Sequence, residues 1–491
     1  MRLSFLLLLM MPAPGSAQTV VVDARVAGHA FPHFWERAFG SGRAVLTLRD
    51  EYRRDLDAVR RITGFEYVRF HAIFHDENGV YLGEAGGRPV YNFNQVDTIY
   101  DGLLAAHVKP YVELGFMPRR LAARPVQHSF WYKPIVAPPK DPAKWAALIE
   151  AFARHLVERY GIDEVATWFF EVWNEPNLDF WAGEPRWETY CDLYDATARA
   201  VKVVSPRLCI GGPATAQAAW VGRFIDHCVK AGVPLDFVST HVYANDTPHD
   251  VFGTDGPVDR RTMLPRAVDK VFREVKSSAR PALPIHWSEF NASYMNEVDV
   301  TDSAYIGPWL AMTIAGCDGK VELMSYWTLS DVFEEQGVFK TPFYGGFGLI
   351  ANHLIPKASF HVFRLLHMLG EQRLPVDSDS ALVTKRRDGT LVVALWNYAD
   401  PGATGPTKTL TLDLRGTTAG AAKLWRVDPE HGSTLEIWKR MGSPASPTLA
   451  QERELRDAAA AEPPETVPIT SGKLQVTLPA PGLAVVEIRA R

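Results

Sequence analysis

Between about residue 36 and residue 370, short apolar runs alternate with longer stretches in which apolar residues recur at helical spacing. The strand candidates are RAFGSG, YVRFH, KPYVEL, WFFEVWNE, LCIGGP, DFVSTHVY, IHWSEF and LMSYWTLSD. The helix candidates lie near residues 50–63, 94–107, 143–160, 188–204, 217–231, 263–277, 303–316 and 357–369. This alternation indicates parallel βα units and predicts an α/β fold, a (β/α)8 TIM barrel over residues 36–370. A doubly wound open sheet is the alternative, but no glycine fingerprint follows the first strand.

After about residue 371 the pattern changes to alternating strands broken by turns. The strand candidates there are GTLVVALWNYA, TKTLTLDLRG, AAKLWRV and GKLQVTLPAPGLAVVEIRA. They predict a β-sandwich domain over residues 371–491. TVVVDA, in residues 18–35, is a strand with no helix after it, and we expect it to join that sandwich. The Ala/Pro/Glu-rich segment 443–466 reads as an exposed, mobile insertion.

The first 17 residues, MRLSFLLLLMMPAPGSA, place Arg2 before an apolar core and end in small residues. This pattern is typical of a secretory signal peptide over residues 1–17, and we expect cleavage after Ala17. The mature protein is therefore predicted to be secreted or periplasmic, with an uncleaved anchor as the alternative. No later segment offers 18 uninterrupted apolar residues, so no membrane association is expected after cleavage.

Composition narrows the classes of function. The chain has 491 residues, 47% hydrophobic and 22% charged, with a formal net charge of -5, which is typical of a globular protein of more than one domain. No basic stripe stands out, so no nucleic-acid partner is expected. The 15 histidines show no ligand spacing, which predicts no metal and no cofactor. The oligomeric state stays open.

The cysteines are too few and too widely spaced for a disulfide framework, and none forms the close pairs of a zinc site. They are Cys191, Cys209, Cys228 and Cys317. We interpret them as buried apolar residues, although export would permit a bridge between Cys209 and Cys228.

Candidate chemistry lies where the predicted strands end, because functional side chains of such barrels cluster at the carboxyl ends of the strands. The side chains at those positions are His71, Glu113, Asn174, Glu175, His241, Tyr243, Glu289, Trp327 and Asp331. Polar, acidic and aromatic groups thus converge on one mouth. Such a ring suits a carbohydrate, whose hydroxyls need hydrogen-bond partners and whose C–H faces stack on aromatic rings.

Two of these carboxylates stand out because a charge at the end of an apolar strand is costly to desolvate. Glu175 ends predicted strand four and Glu289 ends predicted strand seven, so they face each other across the barrel. Two carboxylates on either side of a bound ring are the machinery of glycoside hydrolysis. We interpret Glu113 differently, as a residue that holds His71 or Arg69 by a hydrogen bond.

EVWNEPNLDFW at 171–181, together with WSEFNASY at 287–294, resembles glycoside hydrolase family 39, the β-xylosidase and α-L-iduronidase family. The resemblance extends through YVRFHAIF, KPYVELGFMP, STHVY and YWTLSDVFEE and covers most of residues 36–370. It implies that Glu175 is the acid/base and Glu289 the nucleophile of a retaining mechanism. We then expect carboxyl groups about 5 to 5.5 Å apart and a raised pKa at Glu175.

The resemblance also implies that Asn174 bonds the sugar 2-hydroxyl and that Tyr243 touches the nucleophile. Glutamates of the loop DVFEEQG resemble sugar-hydroxyl ligands of the β-xylosidase branch, although a solvated acidic loop is an equal alternative. The predicted substrate-binding residues are Asn174, His71, His241, Tyr243, Trp327, Glu334 and Glu335.

The residues after WNEP favour one branch of the family. In the iduronidases of the family that this chain resembles, an aspartate and a histidine follow WNEP. This chain has Asn177 and Leu178 at those positions. We therefore predict a retaining enzyme that removes β-D-xylosyl or similar residues from oligosaccharides or glycosides. The alternatives are an α-L-iduronidase-like or other β-glycosidase, and an inactive carbohydrate-binding protein on the same fold. Retention of both glutamates and of Asn174 argues against the binding protein.

Overall fold

The computed structural model describes residues 17–460 and 462–489. The predicted leader lies outside the described residues except for its last position, so the leader and the export that follows from it stay predictions. No helix of the described ranges is long and apolar enough to cross a membrane.

Eight parallel strands close into a barrel in chain order, and the eighth pairs with the first through Ser325 and Ala38. The strands are Ala38–Arg43, Tyr67–His71, Lys109–Glu113, Phe169–Glu171, Cys209–Thr215, Phe237–Tyr243, Ile285–Asn291 and Leu323–Tyr326. The α-helices of this part are Asp50–Thr63, Asn94–Ala105, Pro142–Tyr160, Ile162–Val165, Arg186–Val204, Val221–Ala231, Pro248–Phe252, Arg260–Ser277, Ile306–Cys317 and Ala358–Leu366. The predicted (β/α)8 barrel is confirmed, and each strand candidate contributes one barrel strand.

Local sequence explains why these elements begin and end where they do. The helix Asp50–Thr63 buries Leu56 and Val59 on one face and ends at Gly64, whose φ of 68° suits a residue without a Cβ. The helix Pro142–Tyr160 begins with Asp141 as its cap and a proline at its first position. Inside the barrel, a layer of buried apolar and aromatic side chains fills the end opposite the mouth: Ala38, Tyr67, Tyr111, Phe237 and Leu323. Since this end is packed shut, ligands can enter the barrel at the carboxyl ends of the strands.

Two packed sheets form the β-sandwich after the barrel. The larger contains His29–Ala30, Gln372–Leu374, Ala381–Lys385, Leu391–Asn397, Gly482–Ile488, Ala421–Val427 and Glu465–Pro468. The smaller contains Ala17–Asp23, Gly405–Arg415 and Lys473–Ala480. The N-terminal strand runs parallel to Gly405–Arg415, with Val20 opposite Leu412. Apolar residues of both sheets share one core, so the N-terminal segment is part of the sandwich.

The segment 443–466, expected to be an exposed, mobile insertion, is largely exposed but contains a regular element. Leu449–Ala458 is an α-helix, and Thr448 and Gln451 form a capping box at its start. Leu455 is fully buried in a cluster with Trp438 and Ile355. The sequence hides this helix because only one narrow apolar stripe interrupts its charged residues, so its stability depends on a distant partner surface.

The four cysteines are unpaired, and three of them are buried, as expected of apolar core residues. The fourth, Cys209, is half-buried, and no bridge joins it to Cys228.

Candidate active site

A cavity of about 530 Å3 opens at the carboxyl ends of the barrel strands. Predicted site residues that line it are His71, Asn174, Glu175, Tyr243, Glu289, Trp327 and Glu335. Its other lining residues are His128, Ser129, Phe130, Leu178, Asp179, Phe180, Ala216, Gln217, Asp246, Tyr294, Gln336 and Phe347. The cavity has the volume of a small-ligand site and mixes acidic with aromatic walls.

The two glutamates reach this cavity in different ways. Glu289 lies within the seventh strand, whereas the fourth strand ends at Glu171, four residues before Glu175. The chain from Glu171 to Glu175 leaves the strand through residues of positive φ, Trp173 (72°) and Glu175 (42°). Non-glycine residues seldom adopt such φ values. The Glu175 amide donates to the Ala214 carbonyl at 2.8 Å and anchors this turn. The strained turn brings the Glu175 carboxylate to the cavity wall.

The two carboxylates lie close together. One oxygen of Glu175, one oxygen of Glu289 and a ring nitrogen of His241 all lie within 4.8 Å of one another. Retaining glycosidases hold their carboxyl groups about 5 to 5.5 Å apart, whereas inverting enzymes need about 6.5 to 9.5 Å to fit a water molecule. Oxygens within 4.8 Å of each other leave less room than an inverting pair needs, which favours retention.

Glu289 is surrounded by donors that favour its charged form. Arg69 Nη1 donates to its Oε1 at 2.6 Å, and the Tyr243 hydroxyl donates to its Oε2 at 2.7 Å. Burial raises the pKa of Glu289, but Arg69, His71 and the Tyr243 hydrogen bond oppose that rise. A carboxylate whose two oxygens both accept strong hydrogen bonds is suited to act as a nucleophile.

Glu175 has the opposite environment. Burial and then the negative charge of Glu289 raise its pKa well above its ordinary value. Its Oε1 lies 2.9 Å from Nδ1 of His241, and burial lowers the pKa of that histidine well below its usual range. A neutral imidazole whose Nε2 donates to Ser288 Oγ, 3.1 Å away, can accept a hydrogen bond from protonated Glu175 at Nδ1. Of the two glutamates, Glu175 is therefore the one that carries the proton.

Arg69 organises the floor of the site. Its side chain is fully buried, and it donates from Nε to Glu171 at 2.6 Å and from Nη2 to Asn174 Oδ1 at 2.9 Å, besides its bond to Glu289. Glu113 lies 3.2 Å from the same guanidinium. Because an arginine can only donate, Asn174 presents its oxygen to Arg69 and keeps its amide N–H groups for a ligand. From the sequence, Arg69 is expected as one possible hydrogen-bond partner of Glu113, and its contacts with Glu171, Asn174 and Glu289 are not predicted.

Glu113 also contacts His71, with 2.5 Å between Oε2 and Nδ1, which matches the structural interpretation given to it. His71 in turn packs on Trp327, with ring centroids 4.8 Å apart. His71 and Trp327 together form one aromatic wall of the cavity.

Two predicted sugar ligands lie outside the cavity. His241 is fully buried behind the glutamates, so it contacts Glu175 and Ser288 instead of the open space. The Glu334 carboxylate is paired with Arg43 and Arg49. In this structure both side chains contact protein groups, and a role as sugar ligands stays a prediction for each.

The sequence analysis missed the aromatic wall built by the loops after strands three and four. The rings of His128 and Phe180 are stacked with centroids 4.0 Å apart, and Phe130 meets Phe180 edge-on at 5.2 Å. His128 also lies 3.3 Å from Asp179. The available signal was HSFWY within the long segment between the strand Lys109–Glu113 and the helix Pro142–Tyr160, since long barrel loops often carry binding residues.

Replacing Tyr243 with phenylalanine is expected to move the acidic limb of the kcat/KM profile to higher pH. The hydroxyl favours the charged form of Glu289, so its removal raises the pKa of Glu289, and the nucleophile then ionises at higher pH. Loss of a hydrogen bond to a charged group is often worth about 1.5–3 kcal/mol, so kcat/KM at neutral pH should fall about tenfold or more. The measurement is kcat/KM from pH 4 to 9 on an aryl glycoside. An unchanged acidic limb would contradict this role.

Known proteins that are similar to this chain support the chemistry suggested by the geometry of the site. The family model described as glycosyl hydrolases family 39 matches residues 18–475. A β-xylosidase of Geobacillus stearothermophilus is 40% identical over 429 residues, which are 85% of this chain and 84% of that protein. An α-L-iduronidase of Mus musculus is 24% identical over 494 residues, which are 87% of this chain and 73% of that protein. The crystal structure of a monomeric β-xylosidase from Caulobacter crescentus CB15 matches with a TM-score of 0.87 and 32% identity, covering 96% of this chain and 99% of that one.

Proposed function

The chain belongs to glycosyl hydrolase family 39, as its motifs predicted, and on this premise we propose that it removes β-D-xylosyl residues from oligosaccharides or glycosides. The protein is a retaining glycosidase, and carbohydrate is its substrate class. The observation that carries the proposal is a pair of carboxyl groups with oxygens within 4.8 Å and unlike surroundings: burial and the charge of Glu289 raise the pKa of Glu175 well above its ordinary value, whereas Arg69, His71 and Tyr243 oppose the rise in pKa at Glu289.

In the first step of the proposed reaction, Glu289 attacks the anomeric carbon while Glu175 gives its proton to the glycosidic oxygen. The bond between the anomeric carbon and the glycosidic oxygen breaks, the aglycone leaves, and the sugar stays bound to Glu289 as an ester. Asn174 bonds the sugar 2-hydroxyl through the amide N–H groups that Arg69 leaves free. Arg69 and Tyr243 hold the nucleophile in place for this attack.

In the second step, water attacks the same carbon and Glu175, now a carboxylate, takes its proton. Once Glu289 is esterified, it no longer carries the negative charge that raises the pKa of Glu175. The pKa of Glu175 therefore falls, and the residue becomes the base that this step needs. Hydrolysis releases the sugar with retained configuration and regenerates both carboxyl groups.

The charges of the cavity wall support a neutral sugar over a uronate. Among the described residues that line the cavity there is no arginine or lysine, whereas Asp179, Asp246 and Glu335 add to the two glutamates of the pair. Arg69 is fully buried and already bound to four side chains, so it offers no fork to a substrate carboxylate. A substrate carboxylate would therefore find no cationic partner in the cavity wall and would lie near the Glu289 carboxylate, which disfavours binding.

We expect kcat/KM for an aryl β-D-xyloside to exceed that for the matching α-L-iduronide by at least about 100-fold, since the iduronate charge finds no partner. Selection against a β-D-glucoside should be weaker, because excluding one hydroxymethyl group by shape is often worth only about 1–3 kcal/mol. The measurement is kcat/KM for the three glycosides with one leaving group, pH and temperature. A best rate on the iduronide would overturn the substrate assignment and leave the two-glutamate mechanism standing. Absence of cleavage of all three would favour the binding-protein alternative.

A further inference from the structure

The loop between the eighth barrel strand and Ile350, residues 327–349, builds one side of the active-site cavity. Trp327, Glu335, Gln336 and Phe347 all come from this loop and line the cavity. Glu334 lies between them in sequence and does not line the cavity, although it is 7% exposed and therefore buried. Its burial needs another explanation, because an isolated carboxylate in such a place is costly.

Two arginines supply that explanation. Glu334 Oε2 lies 3.1 Å from Arg43 Nη1, and Glu334 Oε1 lies 2.6 Å from Arg49 Nη1. The Arg43 side chain is 7% exposed and is itself held by Glu77, 3.1 Å from its Nε. Arg43 ends the first barrel strand, so these contacts tie the loop to the rigid barrel wall. A buried charge pair with both carboxylate oxygens engaged fixes the position of the residue that carries it.

The backbone around Glu334 is held as tightly as its side chain. Glu334 has φ of 63°, in the left-handed region that non-glycine residues seldom adopt. The next residue accepts a hydrogen bond at its carbonyl from the Trp131 amide, 2.8 Å away. The strained backbone at Glu334 persists because its surroundings over-determine it, and it decides which of the two neighbouring glutamates faces the cavity.

Glu335 is the side chain that this arrangement presents. It lines the cavity, is 8% exposed, and its Oε1 has no hydrogen-bond partner within the described residues. The nearest base is Nε2 of His71, 3.5 Å from that oxygen. A carboxyl group that lines the cavity and has a buried oxygen without a protein partner is suited to bond a hydroxyl of the bound sugar.

We propose that Glu334 is a positioning residue: its ion pairs with Arg43 and Arg49 lock the loop so that Glu335 meets the sugar. The proposal rests on the proposed carbohydrate site but not on the identity of the sugar. Glu334 then acts on recognition only through Glu335. Because the contact made by Glu335 is present in both the bound substrate and the transition state, its loss should raise KM more than it lowers kcat.

The test is a double-mutant cycle with E334Q, E335A and the double variant. We expect E335A to lower kcat/KM about 10- to 100-fold, as for loss of a buried hydrogen bond. E334Q keeps the shape of the side chain and removes its charge, and it should raise KM about tenfold with kcat changed less than about threefold. The double variant should match E335A within about twofold, because a residue that acts through Glu335 has no further effect once Glu335 is gone.

E66Q is the matched control. Glu66 pairs with Arg37 at 3.2 Å but is 48% exposed and is not part of the cavity lining, so the kinetics of E66Q should equal those of the wild type. R49M removes one partner of Glu334 at a half-exposed arginine and should reproduce part of the E334Q effect on KM if E334Q fails to fold. The cycle is read on whichever aryl glycoside the wild type cleaves, so a wrong sugar assignment leaves it intact. Additive losses in the double variant, or a lowered melting temperature with unchanged KM, would overturn the positioning role.

Discussion

Replacing Glu289 with glutamine is expected to abolish turnover on every aryl glycoside, whatever its leaving group. The amide cannot form the ester with the anomeric carbon, so no substrate can bypass the loss, and kcat should fall on the order of 10⁴-fold or more. The amide oxygen can still accept from Arg69 and its NH2 group can donate to the Tyr243 hydroxyl, so the fold should survive the change. The measurement is kcat on glycosides of good and poor leaving groups, together with the melting temperature.

E297Q is a suitable control for E289Q. Glu297 forms an ion pair with Arg260 at 3.0 Å outside the cavity lining, so it tests the cost of losing a carboxylate without touching the chemistry. The variant should keep kcat close to the wild-type value. Turnover above about one hundredth of the wild-type rate in E289Q would contradict the nucleophile assignment.

Replacing Glu175 with alanine is expected to separate substrates by leaving group. A poor leaving group needs protonation, so kcat/KM for such glycosides should fall about 10²–10⁴-fold, as for loss of a general acid. The aryl group of an activated glycoside leaves without a proton, so the first step should stay near normal for such a substrate. The glycosyl-enzyme should then accumulate, because the base for the second step is missing. Added azide needs no base and should restore turnover, with a glycosyl azide of retained configuration as product.

The control for E175A is E175Q, which keeps the size of the side chain and lacks its acidity. Both variants should show the same dependence on leaving group, although azide should act more strongly on E175A, where the missing side chain leaves room. Equal losses on good and poor leaving groups, or no response to azide in E175A, would remove Glu175 from the acid/base role.

The position of Arg69 shows why part of the site could not be read from the sequence. Arg69 lies in the middle of the apolar run YVRFH, whereas its partners Glu113 and Glu171 end two other strands and Asn174 follows the second of them. Each contact joins residues far apart in the chain, and closure of the barrel brings them together. The pattern around Arg69 predicts a strand but contains no information about what surrounds its guanidinium.

Glu334 and Glu335 also differ in a way that the sequence does not predict, although they are adjacent in the chain. They are identical neighbours in DVFEEQG, and the sequence favours neither as a sugar ligand. Glu334 has a left-handed backbone and pairs with Arg43 and Arg49, so its carboxylate is held inside the protein. Glu335 is left at the cavity. Only the folded chain makes the two glutamates different.

The sequence by itself determined the eight βα units, the β-sandwich and the two outstanding glutamates. Hydrophobic periodicity is a local property, and a carboxylate at the end of an apolar strand is visible as a local cost. Only the folded chain provides the burial and the Glu289 charge that raise the pKa of Glu175, the Arg69 and Tyr243 hydrogen bonds that oppose the rise at Glu289, and the contact of His241 with Glu175. These outcomes depend on burial and on charges brought together from separate strands, which exist only once the barrel has closed.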